Sequence, residues 1–407
     1  MRLTPRLCAQ HLGWTFKKHW QSQGKRIPRD TGAANELAKV GIIVKDPKEV
    51  LNPKKERQRF VIDPDTQVGD DETNYQWHQQ KCYVYSNENV LLEGMSQAQV
   101  LTKTIRVNGL PKPLTDMLAN LSLPSTIDQN ILQSILASTL LDAEQVVLPK
   151  IKSDERPAFN FPRQYGISQY RQNRLLINRL LTECEKIANP SITSQRRVID
   201  NADFTVSVPK DEDLIQLDLE VHKLVTANKA IEPIKGKFES DIPNMYPLKC
   251  TTSIPLRNTY CSETRFPLSN RINCSHPHTI FTFFNKENVR NIHGSNVSNA
   301  QFQSRTLLSA FAVAAARAKQ LYGDASLEHI PKPIVIQSIQ TDGRTFHFGV
   351  FQLNTLNLGE NSDARNYWFQ EENMHLFTHC AYKCGQPVLE GYDKKVFRYL
   401  NAFYHNM

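Results

Sequence analysis

The most informative absence in this chain of 407 residues is that of the common catalytic and phosphate-binding motifs. The chain contains no Walker-type loop, no Gly-x-Gly-x-x-Gly and no Gly-x-Ser-x-Gly, which would cradle phosphates or expose a nucleophilic serine. Its acidic groups, such as Asp211-Glu212-Asp213, are adjacent in sequence, which is more typical of solvated turns than of acid–base pairs. The sequence therefore predicts a protein that is not an enzyme and that uses no cofactor.

Paired cysteine motifs are also absent. The eight cysteines are scattered along the chain, and none forms a Cys-x-x-Cys pair. With no secretory signal, this scatter predicts reduced thiols rather than a disulfide framework.

Long apolar runs and repeats are missing as well. No run approaches the ~18–20 apolar residues that span a bilayer. The chain shows no internal repeat, no heptad pattern and no regular alternation of strands and helices, so a doubly wound sheet is not expected. Glycine is scarce, at 16 residues, whereas proline is rather frequent, at 22, which favours extended and turn-rich connections.

An excess of positive charge is the first feature that is present. The 49 basic and 41 acidic residues give a net charge of +8 and an isoelectric point near 9.0. This balance suits an anionic partner such as nucleic acid. The alternative is that the charge has no partner, because many soluble proteins, mitochondrial ones especially, are mildly basic.

The N-terminal segment, residues 1–29, contains several lysines and arginines and no acidic residue. Leu12, Phe16 and Trp20 recur at helical spacing opposite polar positions. An acid-free, amphipathic, arginine-containing start is typical of a mitochondrial targeting segment. The alternative is a basic arm that stays on the mature protein. Residues 30–79 follow as an extended polar segment.

The clearest local structure is a β-hairpin over residues 333–354. Two apolar runs flank Asp342-Gly343, a pair that favours a type I′ turn with positive φ at both central residues. Apolar side chains point to both faces, which indicates a covered sheet. We expect His347 to be a hydrogen-bonded strand histidine, and Gly349 to mark a bulge or a close backbone approach.

The remaining pattern predicts an α+β fold, with a mixed, mainly antiparallel sheet, packed helices and long irregular extensions. Residues 80–200 form a mainly helical region, and residues 201–407 form an α+β region that contains a helix over 299–322 as well as the hairpin. Other helices are expected at 91–107, 110–123, 127–141, 168–187 and 393–404, and other strands at 81–86, 204–208, 214–219 and 279–284.

Two groups of histidine and cysteine could bind a metal. The first is Cys274, His276 and His278, with Cys250 and Cys261 upstream, but single-residue spacing is unlike that of zinc fingers. The second combines His375 and His379 with Cys380 and Cys384, and it lacks the helical His-Glu-x-x-His pattern. These two groups leave open a second function, that of a mitochondrial RNA-processing or metal-dependent enzyme with His276, His278 or His379 as metal ligands. Structural histidines and reduced cysteines account better for both groups.

Several arginines and lysines are candidates for RNA contact. Arginine suits phosphates because its guanidinium binds two oxygens at once, and nearby tyrosines could stack on unpaired bases. No portable RNA-binding module surrounds them, so docking on a folded RNA surface fits better. The candidates are Lys54, Lys55, Arg57, Arg59, Arg163, Arg171, Arg196 and Arg197.

Three blocks of the sequence resemble one protein family. They are LLEGMSQAQVLTKT (residues 91–104), LLSAFAVAAARAKQLYG (residues 307–323) and the hairpin segment that begins at Pro333. In order and wording they resemble the family of the mitochondrial large-subunit ribosomal protein numbered thirty-seven, which looks related to mitochondrial ribosomal protein thirty, also called programmed cell death protein nine. The resemblance implies a structural component of the mitochondrial ribosome in the matrix. Its expected partners are large-subunit rRNA and neighbouring mitochondrial ribosomal proteins, including the related protein thirty.

Overall fold

The computed structural model describes residues 31–45, 71–150, 162, 164–236, 238, 240–245, 253–289, 291–327, 329–359 and 363–406. The chain divides into two compact units, residues 1–67 and 68–407. The described part of the first unit contains helix α1 (Ala33–Lys39), in which Glu36 accepts a hydrogen bond from Lys39 at 2.7 Å.

The second unit contains seven α-helices and fourteen strands within its described residues. The helices are α2 (Met95–Thr102), α3 (Lys112–Asn120), α4 (Ile127–Thr139), α5 (Gln169–Ile187), α6 (Pro190–Thr193), α7 (Asn299–Tyr322) and α8 (Lys394–His405). The strands are β1 (Trp77–Ser86), β2 (Thr104–Asn108), β3 (Val146–Val147), β4 (Tyr165–Gly166), β5 (Arg196–Lys210), β6 (Asp213–Ala227), β7 (Leu256–Thr259), β8 (His276–Phe283), β9 (Ile334–Thr341), β10 (Thr345–Leu353), β11 (Asn366–Gln370), β12 (Met374–His375), β13 (His379–Lys383) and β14 (Gln386–Glu390).

Ten of these strands form one mixed sheet, in the order β2-β11-β10-β9-β8-β6-β1-β7, with β5 paired to β6 and β12 paired to β10. Most of its pairs are antiparallel, and three are parallel: β1–β6, β8–β9 and β2–β11. Helix α7 connects the parallel pair β8–β9. The predicted α+β class with a mainly antiparallel sheet is confirmed.

The β9–β10 hairpin lies in the middle of this sheet and is covered on both faces. Ile336, Phe351 and Leu353 belong to one apolar cluster, which contains α7. Val335, Phe348 and Val350 belong to the opposite cluster, which contains α3, α4, α5 and α8. The sheet is therefore the middle layer of three, as the two-sided apolar pattern predicts.

Helix α7 is enclosed over most of its length. Ser298 accepts a hydrogen bond from the Gln301 backbone N–H, and the Gln301 side chain accepts one from the Ser298 backbone N–H, so a capping box starts the helix. Every residue from 301 to 318 is buried. The small side chains of Ala314, Ala315 and Ala318 let neighbouring backbones approach closely on one side.

The secondary structure of residues 91–107 differs from the single helix that was expected there. Helix α2 ends at Thr102, and Lys103 takes a left-handed conformation with φ of 51°. The chain then continues as β2, which pairs in parallel with β11. Tertiary pairing with a strand more than 250 residues away therefore overrides the local helical pattern.

The hairpin turn is not of type I′. Gly343 has a φ of 94°, but Asp342 is not among the residues with positive φ. The Asp342 side chain instead accepts hydrogen bonds from the backbone N–H groups of Arg344 (2.9 Å) and Thr345 (2.6 Å). This side-chain capping closes a wider loop, in which only the glycine needs a left-handed conformation.

Candidate nucleic-acid interface

The predicted RNA contacts fall into two groups with respect to the structure. Lys54, Lys55, Arg57, Arg59 and Arg163 lie outside the described residues. Arg171, Arg196 and Arg197 lie within them, on α5 and at the start of β5.

Arg171 projects from the first turns of α5 towards two carboxylates. Its Nη2 donates a hydrogen bond to Asp142 at 3.1 Å, its Nε donates to the same carboxylate, and its Nη1 lies 2.6 Å from Glu144. The bonds from Arg171 lower the pKa of Asp142, and the same contacts raise the pKa of Arg171. The guanidinium is thus already engaged by carboxylates that a phosphate would have to displace.

Arg196 and Arg197 are adjacent on β5, and their environments differ. Arg196 Nη2 donates to the backbone carbonyl of Asn406 at 2.6 Å, and its Nε donates to that of Tyr404 at 3.4 Å. Burial lowers its pKa. Arg197 is exposed. Arg196 therefore fastens the end of α8 to the sheet, and Arg197 remains accessible to solvent.

The outer face of α5 carries further basic side chains. Arg174 and Arg179 are exposed, and Arg174 lies 3.6 Å from Asp200. Lys186 donates a hydrogen bond of 2.6 Å to Glu183. Two of these three cations, Arg174 and Lys186, are thus paired with a carboxylate. The face therefore carries only a modest net positive charge.

The two histidines of the first metal candidate lie on opposite sides of β8. The pairing between β6 and β8 shifts by one residue at His278, because Thr226 pairs with Pro277 and Val225 pairs with Thr279. His276 Nδ1 lies 3.5 Å from Arg317 of α7, whereas His278 Nε2 donates to the Asn406 carbonyl at 2.7 Å. Because of this bulge, the two rings point away from each other and do not share a metal ion.

The second metal candidate is also divided. His375 lies on β12 and His379 on β13, not on one helix as the four-residue spacing would allow. Among the described residues, no group of three or more histidine, cysteine or acidic side chains is placed to hold a metal ion. The described cysteines are free thiols.

Three histidines occupy hydrogen-bonded positions, His278 and His347 fully buried and His222 partly buried. Burial lowers the pKa of His222 to about 4, and those of His278 and His347 to about 3. His347 shares a hydrogen bond of 2.8 Å with the Thr306 hydroxyl of α7. The expectation of a structural strand histidine at position 347 is confirmed.

Sequence reasoning missed several buried cations. Arg305 of α7 donates to the carbonyls of Asn87 (2.7 Å) and Asn89 (2.6 Å), and Lys210 donates to that of Leu358 (2.7 Å). Arg317, also on α7, is only 2% exposed. For the two arginines of α7, the only signal in the sequence was a cation within an alanine-rich apolar run. Such a cation is expected to be exposed to solvent unless the helix is known to be enclosed.

Comparison with known proteins agrees with the resemblance of the three sequence blocks. Residues 273–407 match the family described as mitochondrial 28S ribosomal protein S30 (PDCD9). This match covers β8, α7, the central hairpin and α8, which together form the middle of the body.

Longer similarities extend to proteins named large ribosomal subunit protein mL37. The chain is 27% identical to that of Rattus norvegicus over 312 residues, which cover 74% of this chain and 68% of the relative. It is 26% identical to that of Gallus gallus over 304 residues, 73% of this chain and 65% of the relative. For Bos taurus the values are 24% over 343 residues, 79% and 74%.

These similarities indicate the class first: the chain is similar to mitochondrial ribosomal proteins. Within that class, its similarity to mL37 proteins covers about three quarters of its length. The family description names a 28S protein, whereas the longer matches name the large subunit. The longer matches carry more weight because each covers about three quarters of the chain, whereas the family match is confined to residues 273–407.

Proposed function

We propose that the chain is a structural constituent of the mitochondrial large ribosomal subunit and supports mitochondrial translation through contacts with rRNA and neighbouring ribosomal proteins. The observation that supports this most is the similarity to mL37 proteins over about three quarters of the chain. A net charge of +8 and a basic isoelectric point agree with an RNA partner.

The role is non-enzymatic. Buried cations and histidines of the body bind backbone carbonyls and hydroxyls, which is the work of structural side chains. No helix among the described residues is long and apolar enough to cross a membrane. The protein acts in the matrix, and residues 1–29 serve as its targeting segment.

The RNA-facing side chains are a finer proposal. Lys54, Lys55, Arg57 and Arg59 supply phosphate contacts from the first unit, together with Arg163 and the exposed Arg197 of the second. Arg171 and Arg196 contribute by holding α5 and the chain end in place. The related protein thirty, whose family matches residues 273–407, is a proposed neighbour.

Gradient sedimentation tests the main proposal. Mitochondrial lysate from cells that express the tagged full chain is separated on sucrose gradients, and the tag is quantified against large-subunit proteins. We expect stoichiometric co-sedimentation with both the large subunit and the intact monosome. A chain that sediments with assembly intermediates alone would be an assembly factor, and one that stays at the top of the gradient would not be ribosomal.

A further inference from the structure

A cavity of about 380 Å³ opens beside the C-terminal end of α7, between the starts of β8 and β9 and the segment after β6. Pro277, Leu321, Tyr322 and Pro333 supply its apolar wall. Leu321 borders this opening and is 39% exposed.

Cations surround the cavity. Lys229 and Lys332 are exposed at its rim, and Arg317 lies at its inner wall beside His276. One acidic side chain, Glu232, also lines it and lies 3.4 Å from Lys332. The C-terminal carbonyls of α7 add roughly half a negative charge. Three cations still outweigh these two negative contributions, so the cavity attracts anions.

Arg317 lacks a carboxylate partner among the described residues. Its Nη1 donates to the amide oxygens of Asn270 and Gln320, and its guanidinium carbon lies 5.3 Å from the centroid of the Phe266 ring. A buried cation that meets only neutral groups is costly, and an anion nearby offsets that cost. Burial and the adjacent cations Arg317 and Lys332 lower the pKa of His276, so its ring is neutral at pH 7.

We infer that this cavity, here called the α7-end cavity, binds one unpaired nucleotide of a single-stranded RNA segment. The phosphate lies between Lys229 and Lys332, within the field of Arg317. The base lies against Tyr322 and the proline wall, because stacking on an aromatic ring tolerates any base. A volume of about 380 Å³ admits a single nucleotide and excludes a duplex. This inference rests on the proposed ribosomal role only for the source of the RNA.

Binding of a short fluorescein-labelled single-stranded RNA to the full chain tests the inference by fluorescence anisotropy at several salt concentrations. The double variant Lys229→Gln/Lys332→Gln removes two rim charges without altering buried groups. We expect it to lower the salt dependence, the slope of log K against log salt, by about 0.7, since the two lysines flank one phosphate and each phosphate neutralised on a single strand contributes that amount. The variant Lys286→Gln/Lys395→Gln removes two exposed charges elsewhere and should leave the slope unchanged. Equal effects of both double variants would overturn the site.

Competitors identify the ligand. Adenosine 5′-monophosphate should displace the RNA, and adenosine or inorganic phosphate alone should do so much less. Displacement by inorganic phosphate as strong as that by the nucleotide would reduce the cavity to a phosphate site and overturn the nucleotide claim. Displacement by polyglutamate to the same extent would point to an acidic protein instead, with the same consequence.

Ultraviolet cross-linking in ribosomal particles provides a measurement that needs no variant. Peptides containing His276 or Tyr322 should carry a cross-linked nucleotide, and their absence among cross-linked peptides from this chain would contradict the inference. The two proposals fail separately. If the chain does not co-sediment with ribosomal particles but its cavity binds RNA, the ribosomal role is wrong. If the chain co-sediments but the cavity variants bind RNA unchanged, only the inference about the cavity is wrong.

Discussion

Several buried or partly buried cations of this protein bind backbone carbonyls, whereas the buried Lys223 donates to the Asp200 carboxylate. Arg305 joins the turn after β1 to α7, Lys210 holds the carbonyl of Leu358, and Arg196 holds that of Asn406. Hydrogen bonds to charged donors contribute about 1.5–3 kcal/mol, more than neutral ones. Each long side chain therefore stabilises a segment that has no regular secondary structure of its own.

The turn glycine of the central hairpin provides a test at this scale. Gly343 has a φ of 94°, and a Cβ at this position would lie 2.5 Å from Asn173 Oδ1. We expect Gly343→Val to lower the free energy of unfolding by about 2–4 kcal/mol, because backbone strain and a steric clash add. Urea unfolding measures the change.

Gly385 provides the matched control for this substitution. Its φ is 80°, but no atom lies within 4 Å of the position of a Cβ. Gly385→Val should therefore introduce the backbone strain without the clash. It should lower the free energy of unfolding by less than Gly343→Val does. Equal losses would mean that Asn173 does not crowd the turn, and an unchanged Gly343→Val protein would refute the turn itself.

The buried histidines predict acid sensitivity. The pKa of His347 is lowered from 6.5 to about 3 in the folded chain, so folding favours the neutral ring. The contribution of the neutral His347 ring to the free energy of unfolding is complete above pH 6.5. It is lost as the pH falls towards 3, at about 1.4 kcal/mol per pH unit. His347→Gln should reduce the loss of stability between pH 6.5 and 4.5, as measured by urea midpoints. The substitution His379→Gln, at an exposed position, should leave this loss unchanged. An equal dependence of stability on pH in the unmodified chain and in both variants would contradict the prediction.

At the scale of elements, the helices were more predictable than the strands. The expected helices at 168–187, 299–322 and 393–404 agree with α5, α7 and α8 to within one residue at either end, because apolar periodicity and capping residues are local signals. The expected strands at 204–208 and 214–219 are only parts of β5 and β6, which pair over fourteen positions. The remaining parts gave weak signals because pairing rather than alternation defines them.

Gly349 shows how an element can depend on one missing side chain. A Cβ there would overlap the indole ring of Trp368 on the adjacent strand β11. The expected bulge or close backbone approach is therefore wrong, because the strand register is regular at Gly349 and the group that approaches it is the Trp368 side chain. The single glycine allows the largest buried side chain of the sheet to lie across β10.

The enclosure of α7 gives a prediction for a whole helix. Ala315 is fully buried, so Ala315→Leu should lower the free energy of unfolding by about 1–3 kcal/mol through overpacking. Ala300 lies in the first turn of the same helix and is exposed, and Ala300→Leu should change stability little. Thermal unfolding of both variants measures the difference. Similar effects at both positions would mean that α7 is not enclosed at Ala315.

At the scale of the molecule, the candidate site was less predictable than the fold. Basic residues can be found in any sequence, but their neighbours are set by tertiary contacts. Arg171 and Arg197 look equivalent in sequence, yet Asp142 and Glu144 engage one and the other is exposed. The α7-end cavity combines residues from four segments between positions 228 and 335, so no local motif could reveal it.

The main sheet also joins distant parts of the chain. Strands β1 and β2 come from the region predicted to be mainly helical, and they pair with β6 and β11 of the following region. Leu101 of α2 and Leu307 of α7 belong to one apolar cluster. The body from residue 71 onwards should therefore unfold as one cooperative unit.

Division of the chain tests this cooperativity. Fragments 71–194 and 195–407, produced separately, should each lack a cooperative thermal transition, because each loses strand partners and exposes part of both apolar clusters. Their co-expression should restore a transition near that of the intact chain. Removal of residues 1–67 is the matched control, since it cuts at the boundary between the two compact units. That truncated chain should retain the unfolding midpoint of the full chain, whereas cooperative unfolding of either isolated fragment would show that the sheet is two independent structures.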